Sequence, residues 1–269
     1  MPELPEVETL VSTLRPLLVG RKIQSTELCW RKSLAAPTPG KFKRQLPGQQ
    51  ISDVTRRGKF FLLHLSYDHL LIHLRMSGDL QVCPGSTPPG KHDRLRIQLT
   101  DGSIFLFSDP RKFGRVWLVK DPRQVLSGLG PEPLSDEFTP DWLHQELQHR
   151  HRQLKPLLLD QHFIAGLGNI YTDEALHRAK LHPLTNSSSI TAAQAARLWQ
   201  AIRSTLQEGI RRNGASIDWV YRGGDFQNHF SVYGRQGEPC PACGTDIQRI
   251  LVGQRGTHFC PTCQEIQYN

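Results

Sequence analysis

The sequence of 269 residues predicts an α+β protein of more than one domain, and three observations carry that prediction. Between about residue 22 and 120, short apolar runs read as strands bounded by turn residues. Beyond about residue 140 the apolar residues recur at helical spacing, and the final stretch holds four cysteines as two C-x-x-C pairs. At roughly 100 to 200 residues per domain the length suggests about two domains, which excludes a small peptide-like module. Hydrophobic residues make up 38% and charged residues 22%, and no apolar run approaches the roughly 18 residues of a membrane span. A soluble globular protein is expected.

Val7, Leu10, Val11, Leu14 and Leu18 fall on one helical face, so the first 18 residues are predicted to hold a helix pressed on a core. The segments KFFLLHLS, HLLIHLRM, RLRIQLT, SIFLFS and RVWLV follow as strands, with Asp101-Gly102 as a two-residue hairpin turn. Together they predict an N-terminal antiparallel β-sandwich, or a flattened barrel, with a flanking helix. Residues 121–140, rich in Pro, Gly and acid, have the composition of a linker. Thr139 can then cap a helix with Pro140 at its first position, giving PDWLHQELQHR. LKPLLLDQ and GNIYTDEALHRA supply two more helices. The run SITAAQAARLWQAIRSTLQEGIRR is the longest, with Ala196, Leu198, Ile202, Leu206 and Ile210 as its buried stripe and Asn213-Gly214 as its stop. The divisions read from this pattern are 1–120, a linker at 121–140, a helical domain at 141–232, and a metal-binding module at 233–269.

That last module rests on Cys240, Cys243, Cys260 and Cys263, spaced C-x2-C-x16-C-x2-C. Two such knuckles converge on one tetrahedral zinc ion, and TDIQRILV and GTHFC fit a β-hairpin around a Gly253 to Gly256 turn. Two disulfides are the alternative, disfavoured in a cytosolic chain. A cytosolic location is itself expected, because MPELPEVETLV has neither the basic nor the apolar segment of a secretory signal. Cys29 and Cys83 read as ordinary buried thiols.

Thirty-three Lys and Arg stand against 25 Asp and Glu, a net charge of +8. The excess is entirely N-terminal: residues 1–135 hold 20 basic and 12 acidic side chains, residues 136–269 hold 13 of each. A polyanionic partner such as nucleic acid gains counterion-release free energy on such a surface; a merely soluble basic face is the plainer reading.

MPELPEVETL at the start, Lys59 in RRGKFFLL, HLRMSG, DPRKFGR, GLGNIYTDEAL, and the closing VYGRQGEPCPACG and QRGTHFCPTC span nearly the whole chain in one order. That set resembles the formamidopyrimidine-DNA glycosylases. The resemblance implies a base-excision enzyme, both glycosylase and AP lyase, acting on oxidised purines in damaged double-stranded DNA. It implies a catalytic β-sandwich, a helix-two-turn-helix domain, a zinc finger with one structural zinc, and a monomer in the bacterial cytoplasm, at the nucleoid through DNA. Loss of the initiator Met would leave Pro2 with a free amine. At a generic α-amino pKa of ~7.7 to 8.0, about a tenth of such an amine is unprotonated at pH 7, against under about one in a thousand for a lysine. Attack on the sugar C1′ would expel the base and leave an iminium, whose acidified C2′ proton permits β- and then δ-elimination. Glu3 stands beside it as general acid and base, Lys59 completes the catalytic set, and Glu6 supports it.

A flipped-out nucleotide leaves a gap, and Met76, Arg111 and Phe113 match the family's wedge: an apolar plug, a planar donor for the orphaned base and a stacking ring. Lys59, Asn169 and Arg255 are the phosphate contacts, Asn169 at a helix start and Arg255 at the tip of the zinc hairpin. His73, His92, Lys155, Tyr171, Glu174 and Tyr233 match positions near DNA or supporting the site. Two other readings share parts of the pattern. An endonuclease VIII-like enzyme would prefer oxidised pyrimidines, but PELPEVET and DPRKFGR favour the purine branch. A non-catalytic zinc-containing DNA-binding protein would not need Pro2, Glu3 and Lys59. One departure stands out: ASIDWVYRGGDFQNHFS is shorter than the family's usual stretch, which reads either as a neutral length variation of a surface loop or as a broadened lesion range.

Overall fold

The computed structural model describes residues 1–216 and 223–266. The part of the short segment at 217–222, where the lesion-range expectation falls, lies outside them.

Contacts divide the chain into two compact units, residues 1–128 with 215–224, and residues 129–214 with 225–269. The cysteine module thus falls in one unit with the helices, and residues 129–140 of the expected linker belong to that unit too.

The first unit opens with α1 (Leu4–Leu18), whose Val7, Leu10, Val11, Leu14 and Leu18 are all buried, as their spacing predicts. Four strands, β1 (Ile23–Glu27), β6 (Asp79–Cys83), β7 (Asp93–Leu99) and β8 (Ile104–Ser108), form a sheet in the order β1-β7-β8-β6. The second sheet runs β2-β9-β5-β4-β3, from β2 (Leu34–Ala36), β3 (Ile51–Arg57), β4 (Phe60–Leu65), β5 (His69–His73) and β9 (Arg115–Val119). All pairs are antiparallel except β2 with β9, which is parallel. Phe61, Leu63 and Leu65 alternate inward on β4 and meet the four-stranded sheet in a shared core, where the Phe61 and Phe105 rings stack at 6.0 Å. The outer face buries Leu62, Leu71 and Val119 under Val125 and Leu126 of the short α3 (Arg123–Leu126).

Three expectations change here. The β7–β8 turn is a three-residue loop: Gly102 N–H donates to Leu99 O (3.0 Å), Leu99 N–H to Ser103 O (2.9 Å), and Gly102 takes the left-handed φ of +88° that this bulged turn requires. Residues 39–45 form a helix, α2 (Pro39–Gln45), within the stretch read as strand-like. Cys29 is exposed and Cys83 half-buried, correcting the buried-thiol reading; they sit by the ends of β1 and β6, the two edges of their sheet.

In the second unit Thr139 caps α4 (Pro140–Gln148), its hydroxyl accepting from Trp142 N–H at 3.1 Å. α5 (Leu154–Leu158), α6 (Asn169–Ala179) and α7 (Ala192–Arg211) follow, α7 opened by a Thr191–Gln194 capping box. The buried stripe of α7 runs through Ala195, Leu198, Ile202, Leu206 and Gly209; Ala196 is exposed and Ile210 only half-buried. Gly209 replaces Ile210 because the Tyr171 ring crosses there, and a Cβ at 209 would lie 2.4 Å from that ring. β10 (Gln248–Val252) and β11 (Arg255–Phe259) pair across Gly253-Gln254, both with positive φ, a two-residue turn of the type that matches strand twist.

Candidate functional site

In the first unit the start of the chain is held by Glu6. Its Oε2 accepts from the Glu3 N–H at 2.7 Å and its Oε1 from the Ala215 N–H at 2.8 Å, so one buried carboxylate ties the residue after Pro2 to the segment at 215. Glu3 is the N-cap of α1 and is 2% exposed, and Pro2 is buried beside it. Pro5 falls in the first turn, where a missing N–H costs the helix nothing. Lys59 follows Gly58 in the β3–β4 turn and is itself buried. Arg56 reaches both partners of this arrangement, donating from Nε to Glu8 Oε2 (2.9 Å) on α1 and from Nη1 to Gly58 O (3.0 Å) before Lys59. His73 lies opposite Phe60 on β5, its ring edge-on to that phenyl at 4.8 Å. Burial, reinforced by the charges of Arg75 and Lys59, depresses its pKa to about 3, so the ring is neutral. Arg75 N–H donates to Nδ1, which leaves the ring proton on Nε2.

Met76 and Phe113 are large apolar side chains left 37% and 48% exposed, the opposite of the core role either would ordinarily fill. The Arg111 guanidinium stands 5.1 Å over the Phe113 ring. Their two turns share one anchor, the fully buried Asp109 carboxylate. Oδ1 accepts from Ser77 Oγ (2.5 Å) and Arg111 N–H (3.2 Å), and Oδ2 from Gly114 N–H (2.7 Å). Each turn also holds a left-handed non-glycine residue, Arg75 at φ +56° and Lys112 at φ +61°. His92 is exposed, and its carbonyl accepts from Asp109 N–H.

In the second unit Asn169 opens α6, and its side-chain amide donates to Gly256 O at 3.0 Å, next to Arg255 at the exposed start of β11. One expected phosphate contact thus holds the carbonyl of the residue that follows another. Lys155 also donates to Gly256 O (3.1 Å), and to Asp173 Oδ1 at 2.6 Å, while Asp173 Oδ2 accepts from His258 N–H (2.9 Å). Glu174 accepts from the N–H groups of Ser231, Val232 and Tyr233; burial pushes its pKa up against the pull of those three donors. Tyr171 is fully buried, stacked on Phe226, and Tyr233 is half-buried against His258.

The four cysteine sulfurs lie within 4.8 Å of one another, with 3.9 Å from Cys240 to Cys263 and 3.4 Å from Cys243 to Cys260. A tetrahedron with Zn–S bonds of about 2.3 Å requires S···S separations near about 3.8 Å, so the donor set fits the ion. No helix among the described residues is long and apolar enough to cross a membrane.

Known proteins match this chain along its whole length. The profile of the formamidopyrimidine-DNA glycosylase N-terminal domain covers residues 1–116, that of the same enzymes' H2TH domain 129–220, and a zinc finger found in FPG and IleRS 237–266. A formamidopyrimidine-DNA glycosylase of Pelotomaculum thermopropionicum is 45% identical over 99% of this chain and 100% of its own. The chain belongs to the formamidopyrimidine-DNA glycosylase family. Its β-sandwich, H2TH domain and zinc finger are that family's, and Cys240, Cys243, Cys260 and Cys263 form its one structural zinc site. The Lactococcus lactis formamidopyrimidine-DNA glycosylase, bound noncovalently to DNA with an AP site, superposes at a TM-score of 0.92 with 37% identity, over 98% of this chain and 99% of that one. A variant of the L. lactis protein bound to Fapy-dG containing DNA gives 0.92 and 36%, over 98% and 100%. As a member of this family the chain is a DNA glycosylase of base excision repair.

For this glycosylase two of the expected DNA contacts lie below the surface. Lys155, expected at the DNA, has no exposed surface; its ammonium pairs with Asp173 and donates to Gly256 O, the carbonyl to which Asn169 also donates. His73, also read as a DNA contact, is only 8% exposed. The anchors Asp109, Ser77, Arg56 and Asp173 were not singled out from the sequence. Asp109 opens DPRKFGR, Ser77 follows Met76 and Asp173 sits inside NIYTDEAL, so adjacency to a motif residue was the available signal.

Proposed function

We propose that this family member is a bifunctional DNA glycosylase and AP lyase that removes oxidised purines, formamidopyrimidines and 8-oxoguanine, from damaged duplex DNA through an imine at Pro2. The supporting observation is the Glu6 clamp: a buried carboxylate spends both oxygens on the backbone N–H groups of Glu3 and Ala215, which holds the Pro2-Glu3 pair in one place. Removal of Met1 turns the Pro2 nitrogen into a secondary amine. Its lone pair forms a bond to C1′, the C1′–N bond to the base breaks, and the base leaves with a proton. Glu3 protonates the ring oxygen as the sugar opens, giving the iminium. Loss of the C2′ proton then expels the 3′ phosphate, and δ-elimination expels the 5′ phosphate. Lys59, carried by the Arg56-braced turn, contributes its cation to this site and to phosphate.

Met76 and Phe113, exposed on braced turns, fill the gap left by the flipped nucleotide, and Arg111 faces the orphaned base. Arg111 favours cytosine, whose O2 and N3 both accept, over adenine. Asn169 and Arg255 bind phosphate, with His73 and His92 near the strand. The catalytic domain is residues 1–120 and the zinc finger 233–269. The protein works as a monomer in the bacterial cytoplasm, on nucleoid DNA.

Borohydride reduction with lesion-containing duplex tests the reading. It should leave a protein–DNA adduct whose DNA-bearing peptide begins at Pro2, and a retained N-terminal residue should abolish it. An adduct mapped to Lys59 or Lys155, with full activity in the N-blocked protein, overturns the assignment. Excision from oxidised pyrimidine duplexes in preference to oxidised purines would instead place it with the endonuclease VIII-like enzymes.

A further inference from the structure

The zinc knuckles are fastened from outside the ligand set by residues that line up with the end of α6. Gln264, fully buried, accepts from Cys260 N–H through Oε1 at 2.9 Å and donates from Nε2 to Leu181 O at 2.9 Å, just past the helix. On the other knuckle, the His177 imidazole of α6 places Nε2 3.4 Å from Cys240 Sγ, with both residues buried. His177 is not one of the four clustered ligands, which already complete a tetrahedron.

We propose that His177 is a positioning residue for the metal, donating its Nε2–H to the zinc-bound Cys240 thiolate. The chemistry of the partner decides the direction of this bond. A thiolate on zinc has lone pairs and no proton, so it can only accept, and the imidazole must carry hydrogen on Nε2. The other ring nitrogen, Nδ1, is buried with no hydrogen-bond partner among the described residues, so the sulfur contact is what selects the tautomer and the ring's orientation. A donor on a metal-bound sulfur draws off electron density, lowers its basicity and slows the protonation through which a cysteine leaves the ion. Removing partners of this kind typically costs about 10- to 100-fold in metal affinity. In this chain the donor comes from the helix that begins at Asn169, so one rigid element carries both the knuckle's brace and the residue bonded to Gly256 O.

The test uses the full-length protein with 113Cd in place of zinc and 15N-labelled histidine. A scalar coupling between 113Cd and the His177 Nε2–H proton, transmitted through sulfur, is expected, along with a protonated Nε2. In the zinc form, His177→Phe keeps the ring volume and removes the donor, and should release metal to a chelator about tenfold faster. His177→Gln, which keeps an N–H, should recover part of that rate. An unprotonated Nε2 without coupling overturns the proposal, as does a His177→Phe release rate equal to the parent's, or His177→Gln as fast as His177→Phe. Should His177→Phe fail to fold, the coupling in the parent protein decides alone.

Discussion

The turns that carry the proposed wedge in the first unit and the Arg255–Asn169 region of the second are braced by different chemistry. Both carry candidate DNA contacts, exposed at Met76, Arg111, Phe113 and Arg255, on a backbone that a buried aspartate holds, Asp109 in the one and Asp173 in the other, each with at most 1% exposure. Asp109 is surrounded by neutral donors, a hydroxyl and two peptide N–H groups. Asp173 is paired with the fully buried Lys155 ammonium. A neutral set can lose one donor and rearrange; a buried ion pair cannot lose one charge without leaving the other uncompensated. The wedge anchor therefore governs geometry, while the Lys155–Asp173 anchor also governs whether its unit stays folded.

The largest expected effect is at that ion pair. Lys155→Met should destabilise the second unit by about 3–5 kcal/mol, read by denaturant unfolding of the zinc-loaded protein. Adding Asp173→Asn should cost less than the sum of the two single changes, and strict additivity would break the comparison. Asp109→Asn comes next, at about 1–3 kcal/mol, because an amide nitrogen must face one of three donors. Single-turnover excision should slow in that variant while zinc content is unchanged; excision at the parent rate would remove Asp109 as the wedge's anchor.

A pH dependence separates the units further. His73 is neutral in the fold with a pKa of about 3, below its unfolded value of about 6.5, so the unfolded chain binds the extra proton between those limits. The stability it supports is complete above about pH 6.5 and is lost as pH falls toward 3, roughly 1–2 kcal/mol of it between pH 7 and 5. His73→Phe should flatten this part of the acid dependence, checked by melting the variant and parent from pH 7 to 5. Arg255→Ala should have the smallest effect on stability, within about 0.5 kcal/mol. Its signature is weaker DNA binding across sequences and a log-log salt slope shallower by about one unit, measured by titration at several salt concentrations.

Much of this was legible in the linear chain wherever a local rule sufficed. α1 buries the five residues that its 3.6-residue period names, Thr139 and Pro140 start α4, and the cysteine spacing brings four sulfurs together. Legibility failed where a neighbour distant in sequence decided the outcome. Ile210 has the right spacing for the α7 stripe, yet the Tyr171 ring from α6 takes that side and leaves room only for Gly209. Cys29 and Cys83 are small apolar side chains, and only strand order shows that β1 and β6 are edges.

The same division holds at the site. Motif residues carry their own identity, so Pro2, Glu3, Met76, Arg111, Phe113 and Arg255 stand out as candidates in the chain alone. The partners of the polar groups that aim them could not. Ser77 meets Asp109 across 32 residues, Asp173 meets His258 across 85, and Glu6 meets Ala215 across 209. In sequence Ser77 and Asp173 read as ordinary surface polar residues, and Glu6, which the resemblance marks as supporting the catalytic pair, carries no sign that Ala215 is its partner. Burial creates the requirement: once folding removes water, a carboxylate must find donors inside the protein, and only the tertiary structure says which backbone it holds.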